Sequence, residues 1–472
     1  MRFKLPRFMV AAPKSGSGKT LLTCALMRVF RETRQISAYK CGPDFVDPMF
    51  HEKVLGTPCK NLDTFFTGEG LTKFLMSKDA PMSDLGIMEG VMGYYDGMAG
   101  TSTEASSYDL ARVTQTPVLL IVDGRGRSVS VAAEIKGFLS YREPSYIEGI
   151  IFNHVSENMY LRLKNLVEEE LGVNVYGYLP EIPDVSIKSR HLGLLMPDEI
   201  PDLTAQIDKV AGAIRTTVDF QGILSMAAEA PALSCRSALS YFLFTTGKVK
   251  LAVAKDEAFS FYYKDNLELL SDLGAEITYF SLLHDEKLPD DVSGLLIGGG
   301  YPELFAEQLS QNETMKKSVY EALSRGMPCM AEGGGFLYLG ERMTDGENKA
   351  SYPMVGFLPG ESRMEKRLQK FGYIKITETP GHEKHFCGGR PLVIKGHEFH
   401  YMQATEEGRD LIAKKPLQEK SWSTGYVSET LYAGLPHLYL YASLPAAKQF
   451  IKACRKFASE NPKEDAPCDE DL

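Results

Sequence analysis

Apolar runs and amphipathic stretches alternate along most of the chain, and their order predicts its organisation. An apolar run at residues 8–12 turns through small residues into Gly18-Lys19-Thr20 and then into a helical pattern at 21–31. A short strand at 36–40 follows, and then the run from Lys40 to His51, whose two prolines and glycine read as a loop at a strand end. The pattern continues with a strand at 85–91, a helix near 106–114, a buried strand at 117–123, a helix near 128–139 and a strand at 149–153. Strands alternating with helices predict a parallel sheet covered on both faces. The helical stretch 203–218 closes this block. From Lys250 the alternation restarts, with strands at 251–254, 276–280 and 294–300 and a helix at 263–273. The expected division is 1–200, a helical extension and linker at 201–247, a second domain at 248–455, and a tail at 456–472 whose Glu, Asp and Pro content reads as disorder.

The stretch Pro13-Lys-Ser15-Gly16-Ser17-Gly18-Lys19-Thr20 carries the clearest chemistry. Gly16 and Gly18 let backbone N–H groups, with Ser15 and Ser17, close round phosphate oxygens. Lys19 reaches the β/γ-phosphates, and the Thr20 hydroxyl is the expected Mg²⁺ ligand. The eight-residue pattern asks for Gly at position 13 and finds Pro13, while Lys14 takes the slot of the extra lysine in a deviant subclass. Asp44, Asp47 and Glu89 fall on loops at strand ends, where open α/β sheets bind ligands, and are expected to converge on Mg-ATP. Each carboxylate alone is more often a cap or solvated loop residue; the set with Thr20 favours the metal. Asn153, at the end of a later strand, is placed to bond a nucleotide base or to satisfy a turn. Arg190 and His191 are candidate substrate contacts or domain caps.

Composition narrows the partners. The 472 residues carry a formal charge of −10, which argues against nucleic acid but not against a local phosphate site. No apolar run is long enough to span a membrane, and a cytoplasmic location is expected. The eight cysteines are scattered without C-x-x-C pairing, against both a disulfide framework and a zinc site.

In the second half, Gly298-Gly299-Gly300 ends an apolar strand and exposes N–H groups suited to an oxyanion. The segment from Gly326 to Tyr338 has the strand, tight turn and helix of a nucleophile elbow. The residue that such an elbow displays is Gly333, which has no side chain; Gly334 offers a further oxyanion N–H.

Six stretches in order carry a resemblance: Ala12 to Thr20, Gly42-Pro-Asp-Phe-Val-Asp-Pro48, Glu89-Gly-Val-Met-Gly-Tyr-Tyr-Asp-Gly97, Arg190-His-Leu-Gly-Leu194, Gly298-Gly-Gly-Tyr-Pro-Glu303 and Gly396-His-Glu-Phe-His-Tyr401. From residue 8 to about 455 the chain resembles the cobyrinate a,c-diamide synthases. The resemblance implies an α/β fold: a P-loop parallel-sheet ligase domain of the dethiobiotin-synthetase type, then a class I glutamine amidotransferase-like α/β domain. It also implies a cytoplasmic ligase of cobalamin biosynthesis that uses ATP and Mg²⁺ to activate the a and c acetates of a corrin as acyl phosphates, and ammonia released from glutamine to displace the phosphate. The implied partners are cobyrinate or a related tetrapyrrole and glutamine or ammonia.

The second domain departs from that pattern. The family's elbow reads Ala-Glu-Cys-Gly-Gly, and here it is Ala331-Glu-Gly-Gly-Gly335. Cys329 lies four residues back, about 13 Å along a strand at roughly 3.3 Å per residue. His437 matches the family's general base, with Tyr439 where a second histidine is usual; His397 and His400 read as structural. The expectation is an impaired glutaminase half, with ammonia as nitrogen source. The alternatives are a diamide synthase for nickel-sirohydrochlorin or hydrogenobyrinate, a non-catalytic P-loop partner or switch ATPase, and a second domain kept as scaffold or homodimer surface.

Overall fold

The computed structural model describes every residue except 57, 184, 186–188, 191–192, 195, 237–246, 382–385, 387–392 and 462–472. His191, the linker near Thr245 and most of the acidic tail therefore lie outside the described residues. Two compact units divide the chain, Met1–Leu243 and Phe244–Leu472.

The first unit is built on a seven-stranded sheet in the order Lys60–Leu62, Ile36–Cys41, Leu85–Glu89, Arg7–Ala11, Val118–Asp123, Ile147–Asn153, Asn174–Leu179. Every pairing in it is parallel. Arg7–Ala11 is wholly buried because both of its faces are covered, which explains its unbroken apolar reading. The next helix, Lys19–Phe30, buries Leu22, Leu26, Met27 and Phe30. Phe30 stands edge-on to Phe8 at 6.0 Å and to Phe220 at 5.3 Å, which ties the phosphate-loop helix to its own strand and to the helix Phe220–Glu229.

The helix Leu203–Thr217, expected in an extension, packs within this unit. Its Asp208 meets Arg28 at 2.7 Å, and its Arg215 pairs with Glu32. The stretch read as a loop from Lys40 to His51 needs correction: Val46–Leu55 is a helix. Pro48 is accommodated there because it lies in the first turn, where its missing N–H would have had no intrahelical acceptor. The sequence reading also passed over the helices Thr64–Asp79 and Glu157–Leu171 and the flanking strands Lys60–Leu62 and Asn174–Leu179.

The second unit holds a six-stranded sheet, ordered Ala275–Phe280, Val249–Ala254, Gly294–Ile297, Cys329–Glu332, Leu431–Gly434, Tyr426–Val427. Only the last pairing is antiparallel. Its core gathers Phe259, Leu295, Ile297, Met315, Phe336, Leu337 and Tyr338. Beside it stands a five-stranded antiparallel sheet, Ser421–Thr424, Leu411–Lys414, Lys370–Glu378, Val393–His400, His437–Leu438, which the alternation of strands and helices did not predict.

Candidate functional site

In the first unit, the ends of Arg7–Ala11, Ile36–Cys41 and Leu85–Glu89 bring the phosphate loop and the acidic residues to one edge of the sheet. Gly16 and Gly18 both adopt positive φ, 74° and 86°. At Gly18 glycine is needed twice, since an added Cβ would also come within 2.7 Å of Asn153 Nδ2. Asn153 donates that amide to the Ser17 carbonyl at 3.0 Å, so it braces the loop from behind, while its Oδ1 is buried with no hydrogen-bond partner. Ser17 donates to the Lys14 carbonyl at 3.0 Å, and Ser15 and Gly16 are exposed. Lys19 is 8% exposed and curls back on the loop, donating to the carbonyls of Met92 at 2.6 Å and Lys14 at 3.3 Å. Burial, with Lys40 nearby, lowers its ammonium to about 8. The ammonium is held by neutral carbonyls and is well placed to exchange them for phosphate oxygens.

The acidic cluster is more tightly wired than loop residues would be. Glu89 is fully buried. Its Oε1 accepts from Thr20 Oγ1 at 2.7 Å and Lys40 Nζ at 3.0 Å, and its Oε2 meets His51 Nε2 at 2.6 Å. Burial opposes its ionisation, but Lys40, His51 and Thr20 outweigh burial and hold the carboxyl well below the usual range. Asp47 lies 2.5 Å from Lys40 Nζ and 3.4 Å from Thr20 Oγ1. Burial, with Asp44 and Glu89 adjacent, pushes its carboxyl up against the pull of Lys40. Lys40 is itself buried, which disfavours its charge, yet Asp47, Glu89 and Asp44 raise it and keep it an ammonium.

Asp44 stands slightly apart. Its Oδ1 accepts from the N–H groups of Val46 at 2.8 Å and Asp47 at 3.4 Å, fixing the start of the Val46–Leu55 helix. The structure thus brings Thr20, Asp47 and Glu89 together, with Asp44 at their border. Among the described residues, no group of three or more His, Cys, Asp or Glu side chains is arranged as a metal site. Thr20, Asp47 and Glu89 are all oxygen donors, a set that suits a hard cation such as Mg²⁺. Lys40 and His51 were not singled out from the sequence. The register that pairs Lys40 with Glu89 across adjacent strands could have identified Lys40. Arg190 lies in a short hairpin, Ser189–Arg190 with Gly193–Leu194.

In the second unit the strand Cys329–Glu332 turns at Gly333 into the helix Gly334–Leu339, the expected elbow. Gly333 has φ 52° and ψ −112°, a conformation that side-chain-bearing residues rarely adopt. Gly334 opens the helix, where N–H groups have no intrahelical acceptor. Gly299 and Gly300 pair with Phe261 and Phe259 in a two-stranded ladder, and Gly298 N–H donates to the Tyr262 hydroxyl at 2.8 Å. His437 reaches this turn from the antiparallel sheet. A Cβ on Gly333 would come within 2.6 Å of its Cε1, and a Cβ on Gly299 within 2.4 Å of the same atom. The imidazole therefore fills the space that a side chain at 333 would enter. Glu332 Oε2 lies 3.6 Å from His437 Nδ1. Cys329 is fully buried against Leu295 in the sheet, and burial beside Cys454 raises its thiol far above the ordinary value, so it offers no thiolate. His397 pairs with His437 across strands and bonds Tyr263 Oη at 2.9 Å through Nδ1; His400 Nδ1 donates to the Met402 carbonyl at 2.7 Å.

Comparison with known proteins places both units. Residues 8–194 match the CobQ/CobB/MinD/ParA nucleotide binding domain, and residues 250–443 match the CobB/CobQ-like glutamine amidotransferase domain. The chain is 38% identical over 453 residues to a cobyrinate a,c-diamide synthase of Caldanaerobacter subterraneus, covering 95% of this chain and 98% of that one. It is 36% identical to one from Limosilactobacillus reuteri, covering 95% and 98%, and 38% identical to one from Clostridium tetani, covering 94% and 98%.

Proposed function

The chain belongs to the cobyrinate a,c-diamide synthase family of carbon–nitrogen ligases, and on that premise we propose that it amidates the a and c acetate carboxylates of cobyrinate with ATP, drawing nitrogen from free ammonia. The observation that carries the first half is the edge where the phosphate loop meets Thr20, Asp47, Glu89 and Lys40. A substrate carboxylate oxygen attacks the γ-phosphorus and ADP leaves. Ammonia then attacks the acyl carbon, phosphate departs, and the nitrogen loses a proton. Lys19 takes negative charge from the transferring phosphoryl group once its contacts to Met92 and Lys14 are exchanged, and the loop N–H groups orient the chain of phosphates. Thr20, Asp47 and Glu89 would hold Mg²⁺, which would supply charge neutralisation to the phosphates. Lys40 balances Asp47 and Glu89, and Asn153 holds the loop's shape while its unpartnered Oδ1 is available to a base amino group.

The second unit supports the ammonia reading. Glutamine hydrolysis by this domain class needs a thiolate to form a thioester, and neither Gly333 nor buried Cys329 supplies one. Cobyrinate and Mg-ATP supplied with either ammonium or glutamine, and read by mass, test both halves together. Amide formation with ammonium and almost none with glutamine is the expected result. Robust glutamine hydrolysis by the unaltered chain would overturn the ammonia reading, and absence of any ATP-dependent mass gain would overturn the ligase reading.

A further inference from the structure

The Val46–Leu55 helix delivers two side chains to the acidic cluster. Asp47 and His51 lie four residues apart, hence on one face of the helix, and both are buried, His51 completely. The His51 ring is held at both nitrogens: Nε2 lies 2.6 Å from Glu89 Oε2, and Nδ1 lies 3.2 Å from Cys59 Sγ. An ionised carboxylate only accepts, so the hydrogen of the first contact belongs to Nε2. Cys59 is itself buried, just ahead of the strand Lys60–Leu62, with its Sγ 3.7 Å from the Lys60 carbonyl. The ring therefore cannot turn without breaking a buried hydrogen bond.

This brace divides the two oxygens of Glu89 by task. Oε1 meets Thr20 Oγ1 at 2.7 Å, and Oε2 is closed off by His51. Asp47 is divided in the same way, with Oδ1 3.4 Å from Thr20 Oγ1 and Oδ2 2.5 Å from Lys40 Nζ. Each carboxylate thus turns one oxygen toward the Thr20 hydroxyl and has the other engaged by a basic side chain. A carboxylate held so can give a cation one oxygen, not two. Ca²⁺ takes about six to eight oxygens and readily accepts both from one carboxylate, whereas the smaller Mg²⁺ demands near-octahedral angles that a single oxygen from each carboxylate suits.

We propose that His51, braced by Cys59, is a positioning residue that keeps Glu89 a one-oxygen ligand and so sets the preference of this site for Mg²⁺ over Ca²⁺. The inference rests on the proposed function for a cation at Thr20, Asp47 and Glu89, and it adds what selects that cation. Both ring nitrogens of His51 are engaged by protein atoms, so it acts through Glu89.

Selectivity can be measured without turnover. Mn²⁺ bound to the full chain with ADP, the nucleotide kept below the chain concentration, is followed by electron paramagnetic resonance while Mg²⁺ or Ca²⁺ displaces it. The ratio of the half-displacing concentrations, Ca²⁺ over Mg²⁺, should be well above one in the parent. His51→Leu frees Oε2 and should lower that ratio about tenfold. Cys59→Ala leaves the ring donor but removes its brace, and should lower the ratio about threefold, whereas His51→Gln, whose amide N–H still reaches toward Oε2, should stay within about twofold of the parent. A role in folding alone would weaken Mn²⁺ binding or lower the melting temperature while leaving the ratio fixed. Thermal melts identify a His51→Leu chain that fails to fold, in which case Cys59→Ala set against His51→Gln carries the test. A parent-like ratio in folded His51→Leu, or in Cys59→Ala where the leucine variant does not fold, would overturn the proposal, and amidation by the parent would leave the ligase reading intact. A lowered ratio in a chain whose parent never amidates cobyrinate would do the reverse. Absence of Mn²⁺ binding to the parent with ADP would overturn the cation site and this inference with it.

Discussion

At the carboxyl edge of the first sheet, Thr20, Asp47 and Glu89 are present and held by other side chains. At the corresponding edge of the second, the turn, the glycines and the histidine are present around a residue with no side chain. The first site is expensive to maintain: the buried Glu89 carboxylate and the buried Lys40 ammonium stay charged only through one another, with Asp47 pressed against the same ammonium. The second could keep its shape without its chemistry, because Gly333 tolerates φ 52° better than any other residue and His437 packs into the space left. The contrast teaches that a strained turn depends on backbone geometry alone, whereas a network of buried charges depends on every side chain in it.

The sharpest way to break this comparison is at Lys19. Lys19→Ala removes the buried ammonium of the loop, and ATP-dependent amidation with ammonium should fall on the order of 10²–10³-fold. Its contacts are to the carbonyls of Lys14 and Met92 in the loop region, so thermal stability should change little. Amidation within threefold of the parent would remove the phosphate-loop assignment.

Glu89→Gln comes next and separates the wired site from a loop carboxylate. The fully buried Glu89 holds Lys40, Thr20 and His51, so its loss should cost about 2 kcal/mol of stability in addition to amidation. That figure lies below the usual cost of breaking a buried pair because Asp47 still pairs with Lys40. Asp44→Asn, at the helix start, should reduce amidation with a smaller loss of stability, since an amide oxygen still accepts from Val46 N–H. Denaturant midpoints measured beside the assay distinguish the two; equal losses of stability would show that burial of Glu89 is not what sets its role.

What could be read from the sequence, and what could not, follows the same division. The phosphate loop and the elbow are local: a few consecutive residues with glycines at fixed spacing determine each, and both were found where expected. Lys40 and His51 act through Glu89, 49 and 38 residues away, and only strand register and the hidden Val46–Leu55 helix bring them there. Prolines at 43 and 48 masked that helix. The antiparallel sheet is signalled only by a period-two pattern, Ile374 and Ile376 alternating with Lys375 and Thr377, which differs from the strand–helix alternation of the rest of the chain.

A smaller effect is expected from putting a side chain back at the elbow. In Gly333→Cys the new Cβ would fall within 2.6–2.8 Å of the His437 ring, so the ring must move, and the positive φ adds strain. Together these should cost about 1–2 kcal/mol. A displaced His437 beside a thiol is also the pair that glutamine hydrolysis needs. Slow glutamine-dependent amidation should therefore appear in this variant and vanish when His437→Ala is added. Glutamine activity that survives the loss of His437 would show that the base lies elsewhere.

The smallest effect concerns the histidine behind that pair. Burial lowers the His397 imidazole well below its ordinary value of 6.5, with His437 and Lys415 adding to the effect, so the folded chain keeps it neutral. In the unfolded chain it takes up a proton near 6.5. Below that pH the unfolded state binds more protons than the folded one, and stability must decline as the solution is acidified. The slope from this one group cannot exceed about 1.4 kcal/mol per pH unit, and it is reached only once the unfolded histidine is fully charged. Urea midpoints for the parent and His397→Gln, compared between pH 7.5 and 5.5, should show the parent losing more stability on acidification even though the variant is less stable at the higher pH. Parallel pH dependences in the two proteins would mean that His397 titrates alike in both states, and that the acid limb belongs to other groups.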